Sequence, residues 1–304
     1  MRPGRVALAG VVMLAIALTF LEAILQGAAL VAPLFIRAAA AHPEPAGAIK
    51  ILVVGDSHAA GAGVPKEENL PSQLERLLAE RHPDRTFRVF NLGLPGVNSP
   101  WVANRLERNI RAYDPDVVIS WVGVNDTWNA TETDAWGHGS LGLGLHRLLL
   151  KSKVYRLAVV TWHTRGVDAE GTSEKIHQAQ RHVAKPPRSE IARGLSYDLE
   201  RMAHTARAYG VPIVFMNYPV PYAGVNETIQ KSANKLRVPV VDAVFDVMRA
   251  RGEGHEQDQL LWYTAGPHPT GLLYRYVAES TVPTVERLLP DMKAGASARK
   301  TAAG

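Results

Sequence analysis

Four short motifs contain the side chains that acyl transfer requires. They are GDS at residues 55–57, PG at 95–96, GVND at 123–126 and HP at 268–269. Ser57 would be the nucleophile, and His268 would accept its proton as a general base and return it to the leaving group. The N–H of Ser57, a glycine N–H and the side-chain amide of Asn125 could converge on the oxyanion that forms during the attack. Gly93 and Gly96 are both candidates for that glycine.

The motifs follow segments that alternate between strand and helix patterns. Short apolar runs predict five strands, at residues 49–54, 87–92, 116–122, 211–216 and 238–241. Apolar residues at helical spacing predict the intervening helices, including a long one that ends at Gly210. Another helix is predicted after Pro269, broken or bent at Pro283. This alternation predicts an α/β fold with a five-stranded parallel sheet and helices on both faces, a three-layer α/β/α arrangement. Ligands of such sheets bind beyond the carboxyl ends of the strands, where three of the motifs lie.

The four motifs together resemble those of the SGNH/GDSL hydrolase family. By motif, Ser57 matches its nucleophile, Gly96 the glycine of its second block, Asn125 the asparagine of its third and His268 the histidine of its last. The resemblance covers about residues 49–289. It implies a flavodoxin-like SGNH-hydrolase fold and carboxylic ester hydrolysis, with Ser57, Gly96 and Asn125 forming the oxyanion hole.

The last motif departs from the family pattern, which is Asp-x-x-His. Position 265 is alanine, so the acid that orients the histidine is missing from its usual place. Three explanations are open. Another acid could reach the ring, and the candidates are Asp242, Glu256 and Asp258. A backbone carbonyl could accept from the imidazole N–H and leave a Ser–His dyad, or the enzyme could be impaired.

Each motif residue also has a simpler structural explanation. Ser57 could cap a helix, and Gly96 could serve only the turn that it forms with Pro95. Asn125 could belong to an Asx turn, and His268 could be an exposed histidine at a helix start. For a single motif residue taken alone, the structural explanation is at least as good as the catalytic one. The combination of four motifs in the family's order favours the catalytic interpretation.

The N-terminal segment predicts a membrane anchor. Residues 6–36 contain one charged side chain, Glu22, and are long enough to span a bilayer. Arg2 and Arg5 precede the segment and only Arg37 closely follows it, which predicts a cytoplasmic N-terminus and a periplasmic or extracellular catalytic domain. The alternatives are a secretory signal cleaved in the alanine run at 38–41 and a buried helix.

The remaining sequence predicts a simple domain organisation. It comprises an anchor at 1–37, an Ala/Pro linker at 38–48, the hydrolase domain at 49–290 and a polar tail at 291–304. Residues 127–190 are long for one connection. They form either a cover that selects substrate or an insertion packed on the domain edge or the membrane surface.

Composition excludes several other classes. The chain has 304 residues, 46% of them hydrophobic and none of them cysteine, which excludes disulfide frameworks and thiolate metal sites. The net charge of +5 is not concentrated in a basic stripe, so a nucleic-acid partner is not expected. We expect no metal or other cofactor.

We therefore predict a membrane-anchored, outward-facing serine esterase. Its expected substrates are acetyl groups of envelope polysaccharide or lipid esters. The alternatives are an O-acetyltransferase that acts on envelope polysaccharide, and a non-catalytic domain that binds a glycan or a protein partner.

Overall fold

A five-stranded parallel sheet is the centre of this computed structural model, which describes residues 12–13, 16–27, 47–127, 129, 152, 154, 188–222, 224–263 and 266–289. The strands lie in the order β2-β1-β3-β4-β5. They are β1 (Ile49–Gly55), β2 (Phe87–Gly93), β3 (Val117–Trp121), β4 (Ile213–Met216) and β5 (Val240–Val241). The predicted five-stranded parallel sheet is thus confirmed, with strand ends that differ by one or two residues.

The central strands are apolar because helices cover both faces of the sheet. In β1, Ile51 to Val54 are buried and pair in parallel register with both neighbouring strands, Ile51 opposite Val89 and Val117. A strand enclosed on both faces has no polar side, which explains its continuous apolar run.

Eight α-helices and two short 3₁₀-helices, Lys66–Glu68 and Val124–Thr127, accompany the sheet among the described residues between 47 and 289. The α-helices are α1 (Ser57–Ala60), α2 (Leu70–Arg81), α3 (Ser99–Tyr113), α4 (Arg188–Ala208), α5 (Val225–Leu236), α6 (Ala243–Gly252), α7 (Gln257–Leu260) and α8 (Gly271–Leu288). Helices α2 and α8 pack against each other, and α3, α4 and α5 pack side by side. A short antiparallel ribbon, β6 (Leu261–Trp262) and β7 (His268–Pro269), precedes α8.

Helix α8 continues through Pro283, so a break, the first of the two outcomes predicted for this proline, does not occur. Proline in a helix interior costs about 3 kcal/mol because one hydrogen bond is lost and the ring crowds the preceding turn. Buried side chains on both sides of Pro283, among them Val277, Val282 and Val285, fix both halves of the helix against the core. This packing keeps the helix continuous.

The chain divides into two compact units, residues 46–136 with 180–304 and residues 1–45 with 137–179. The first contains the sheet and its helices. In the second, residues 16–27 are helical, and Glu22 accepts hydrogen bonds from the Ser152 hydroxyl and the Val154 N–H, both at 2.8 Å. Among the described residues, no helix is both long enough and apolar enough to cross a bilayer. Most of the predicted anchor, the linker, the 127–190 connection and the polar tail lie outside the described residues.

Candidate active site

The carboxyl ends of three adjacent strands bring the sequence motifs to one edge of the sheet. The Asp56 N–H donates to the Trp121 carbonyl at 3.0 Å, which ties the end of β1 to the end of β3. The Leu94 N–H donates to the Gly55 carbonyl at 2.9 Å and ties the loop after β2 to the same place. The motifs of Ser57, Gly96 and Asn125 therefore meet at this edge.

Ser57 is the first residue of the short helix α1. Asp56 caps this helix, because its carboxylate accepts the His58 N–H at 2.9 Å. Gly93, at the end of β2, lies so close to α1 that a Cβ atom there would be 2.2 Å from the Ala60 nitrogen. A glycine at this position lets the helix approach the sheet.

His268 reaches Ser57 from the other end of the chain. Its Nε2 lies 2.8 Å from the Ser57 Oγ, and its Nδ1 lies 3.0 Å from the Gly266 carbonyl oxygen. Because a carbonyl oxygen only accepts hydrogen bonds, Nδ1 must carry the proton in this contact. In the neutral ring, Nε2 then presents its lone pair to the serine hydroxyl, as a general base requires.

The imidazole is thus oriented by a backbone carbonyl, as in the dyad alternative. None of the three acids considered as substitutes has an ion pair or hydrogen bond with His268. Asp242 caps α6 and accepts from Asn217, Glu256 caps α7, and Asp258 is exposed on α7. Ala265 itself lies outside the described residues.

The loop after β2 distinguishes the two glycine candidates. The Gly93 N–H already donates to the Asn91 side chain at 2.9 Å. Gly96 has a φ of +80°, and its N–H makes no hydrogen bond with the described residues. The Asn125 side-chain amide donates to the Val97 carbonyl at 2.8 Å, next to Gly96. Gly96 and the Ser57 N–H, which is also unbonded within the described residues, are therefore the backbone donors available to an oxyanion.

Comparison with known families identifies the chain. Residues 53–276 match the GDSL-like lipase/acylhydrolase family. The chain belongs to this family. The match covers the motifs of Ser57, Gly96, Asn125 and His268, and it makes the chain a hydrolase of ester bonds, as the resemblance implied.

Solved structures resemble this GDSL-like hydrolase at low identity. The psychrotrophic esterase EstA from Pseudoalteromonas sp. is 14% identical with a TM-score of 0.47, over 79% of this chain and 98% of its own. The acetylxylan esterase Axe2 from Geobacillus stearothermophilus is 16% identical with a TM-score of 0.47, over 80% and 95%. The α/β hydrolase LAE5 from the Lake Arreo metagenome is 18% identical with a TM-score of 0.48, over 78% and 95%. No curated protein matches the chain.

Two aromatic rings stack on the histidine of this GDSL-like hydrolase. The centroid distance to His268 is 5.1 Å for Trp262 and 4.7 Å for His58. No pattern in the sequence predicts either ring as a neighbour of His268. Trp262 lies in the two-residue strand β6, which has no periodicity to indicate its position.

Buried acids of the hydrolase lie behind the site. The Asp56 carboxylate accepts a hydrogen bond from the Tyr218 hydroxyl, and the Tyr218 oxygen accepts one from the Val124 N–H at 3.0 Å. Burial, and then the Asp56 charge, raises the pKa of Tyr218 well above its usual value. Tyr218 is therefore a fixed donor that connects the Ser57 motif to the Asn125 motif.

A second buried acid adjoins Asn125. Asp126 accepts both the Ser99 N–H at 2.8 Å and the Ser99 hydroxyl at 2.6 Å, and the same hydroxyl lies 3.0 Å from Asp198. Burial raises the pKa of Asp126 to about 7, against the opposing effect of the Ser99 hydrogen bonds. This cluster joins the start of α3 to the Asn125 loop and to α4. Among the described residues, no group of His, Asp or Glu side chains could hold a metal ion.

Proposed function

We propose that the chain is a serine esterase whose nucleophile is Ser57 and whose general base is His268. The observation that carries this proposal is the 2.8 Å hydrogen bond between Ser57 Oγ and His268 Nε2, with the opposite ring nitrogen bonded to a carbonyl. His268 accepts the serine proton as Oγ attacks the ester carbonyl, and it then protonates the departing alcohol. In the second half of the reaction, it deprotonates the water that releases the acyl group.

The developing oxyanion is stabilised by three donors. They are the N–H groups of Ser57 and Gly96 and the side-chain amide of Asn125. Two observations support these donors. The N–H groups of Ser57 and Gly96 are unbonded within the described residues, and the Asn125 amide donates to the Val97 carbonyl in the loop of Gly96.

The proposed cellular setting is a membrane tether with the catalytic domain outside the cytoplasm. The apolar segment 6–36 and the arginines that precede it support this arrangement, as do the exposed apolar side chains of Ile16, Phe20 and Ile24. An enzyme held there would meet acetylated polysaccharide of the envelope and lipid esters. We propose these two as substrate classes.

The test is hydrolysis of p-nitrophenyl esters by the full chain in detergent, with acyl groups from acetyl to dodecanoyl. Ser57→Ala and His268→Ala are compared with Ser72→Ala, a control serine on α2. We expect the first two variants to lose hydrolysis and the control to retain it. The acyl-length profile separates the two classes, because an acetylesterase prefers the shortest ester. Folded wild-type protein without hydrolysis would contradict the proposal and favour an acetyltransferase or a binding domain.

A further inference from the structure

The bond that orients His268 comes from the histidine's own loop. Gly266, whose carbonyl accepts from Nδ1, is only two residues before His268. A contact this local fixes the ring relative to its loop, but it does not fix the loop relative to Ser57. A general base misplaced by about 1 Å loses up to about 100-fold in rate. A group outside the loop must therefore hold it in place.

His58 is in the right place to do this. Its Nε2 lies 3.2 Å from the carbonyl oxygen of Pro267, the residue immediately before His268. Because that oxygen only accepts, His58 Nε2 is the donor. The His58 ring also lies nearly parallel to the His268 ring, at an interplanar angle of 23°. One side chain thus connects the nucleophile's helix to the loop of the base.

The His58 ring is itself firmly held. It is 1% exposed, and the edge-to-face contact with Tyr218 places the two ring centroids 4.8 Å apart. Its backbone N–H donates to Asp56, and its backbone carbonyl accepts the Tyr274 hydroxyl at 2.8 Å. Its Nδ1 makes no hydrogen bond and lies 3.5 Å from the Asp56 carboxylate. The Tyr222 hydroxyl is also 3.5 Å from the Pro267 carbonyl, a longer contact than that of His58.

We propose that His58 is a positioning residue for the reaction. Its Nε2–H holds the Pro267 carbonyl, and its ring supports the face of His268, so that the base stays aligned with Ser57 without a carboxylate at position 265. The proposal deepens the esterase function and rests on it.

Two amide substitutions separate the hydrogen bond from mere occupancy of the site. The amide nitrogen of His58→Gln occupies nearly the position of Nε2 and can donate to Pro267. The shorter side chain of His58→Asn cannot reach it. Both variants lose the ring. We expect the Asn variant to lose about 100-fold in kcat with KM almost unchanged. The Gln variant lacks the ring but keeps the donor, so we expect it to lose no more than about 10-fold. Equal kcat values for the two variants would overturn the proposal.

His58→Leu fills the same buried space without a donor and serves if the Asn variant does not fold. It is expected to behave as the Asn variant. Thermal unfolding of each variant confirms that the compared proteins are folded.

A spectroscopic measurement on the full chain does not depend on turnover. The side-chain ¹⁵N shift of His268 Nε2, which accepts a hydrogen bond from the Ser57 hydroxyl, should be the same in the wild type and the Gln variant. It should move toward the shift of an unbonded ring nitrogen in the Asn or Leu variant. An unchanged Nε2 shift in all variants would overturn the proposal. If the wild type hydrolysed no ester, the esterase function would fail, but the Nε2 shift would still decide the role of His58.

Discussion

A neutral carbonyl group stands where a catalytic triad has a charged acid. The Gly266 oxygen selects the Nδ1–H tautomer of His268, but it carries no full charge to stabilise the imidazolium that forms during attack. The alignment of the ring then matters more, because a neutral carbonyl supplies no ion pair that would restore the ring once it is displaced. The residues whose rings stack on His268 are therefore the sensitive ones.

Gly63 controls the position of one of these rings. A Cβ atom at Gly63 would lie 1.7 Å from the Trp262 ring, so Gly63→Ala must displace the ring that stacks on His268. We expect kcat for p-nitrophenyl acetate to fall about 10-fold or more, since misplacement of a catalytic group is costly.

The matched control for this substitution is Gly210→Ala. Gly210 also has a positive φ, +68° against +89°, but nothing lies within 4 Å of its Cβ position. Alanine at a positive φ costs about 1–2 kcal/mol of backbone strain in both variants. Only Gly63→Ala should lose activity. Equal activity of the two variants would contradict the role given to Trp262.

Asp126 predicts a pH-dependent stability. Its pKa is about 7 in the folded chain and near the usual 3.8 after unfolding, so the folded state holds a proton that the unfolded state releases within this window. The free energy of unfolding should therefore fall as pH rises from 3.8 to about 7. Asp126→Asn resembles the protonated acid and should weaken this fall, as measured by urea unfolding at several pH values.

The control for Asp126→Asn is Asp114→Asn. Asp114 is an exposed acid that pairs with Lys50 at the surface, where such pairs contribute little. Its removal should leave the pH dependence as in the wild type. If Asp126→Asn also left the pH dependence of stability unchanged, this result would contradict the raised pKa of Asp126.

The motifs predict which residues meet, but not how they are held. Ser57 and His268 follow from the four motifs in the family's order, because GDS alone also fits a helix cap and HP alone an exposed histidine. The choice between Gly93 and Gly96 depends on the hydrogen bond that the Gly93 N–H donates to the Asn91 side chain. The spacing of the motifs does not predict this bond. The Gly266 carbonyl is equally invisible in the sequence, because every residue has one.

The close contact between α1 and the end of β2 positions Ser57. A Cβ atom at Gly93 would lie 2.2 Å from the Ala60 nitrogen and 2.5 Å from the Ala59 carbonyl carbon, both backbone atoms that cannot rotate away. We expect Gly93→Ala to move the helix, lower the melting temperature and reduce kcat.

Gly252→Ala is the matched control in a helix. No atom lies within 4 Å of its Cβ position, so alanine there should be neutral or stabilise α6 by up to about 1 kcal/mol. A Gly93→Ala enzyme as stable and active as Gly252→Ala would contradict the close approach of α1 to the sheet.

The sheet was more predictable than the helices around its far edge. Short apolar runs bounded by turn residues predict β1 to β5, because strands buried on both faces must be apolar throughout. Helix α6 has a weak pattern, since Phe245 and Met248 are exposed while Asp246 is buried. Packing against α8 determines this helix more than its periodicity does.

For the whole chain, the proposed tether and the hydrolase domain can be tested separately. The sheet and the family match lie within residues 46–304, whereas the apolar segment precedes them. We expect the full chain to float with liposomes in a density gradient. A chain that starts at residue 47 should stay in the aqueous fraction and hydrolyse p-nitrophenyl acetate at the same kcat. Full-length protein in the aqueous fraction would contradict the proposed tether but not the esterase function.

The most direct measurement is covalent labelling of Ser57 by a fluorophosphonate, followed by intact mass and peptide mapping. Organophosphorus reagents of this kind react with a serine that a base has activated, so they test the Ser57–His268 bond without any assumption about substrate. We predict one label on Ser57 in the wild type, far slower labelling in His268→Ala, and none in Ser57→Ala. Labelling of Ser57 at an equal rate without His268, or a folded wild-type protein that is not labelled, would contradict the proposed mechanism.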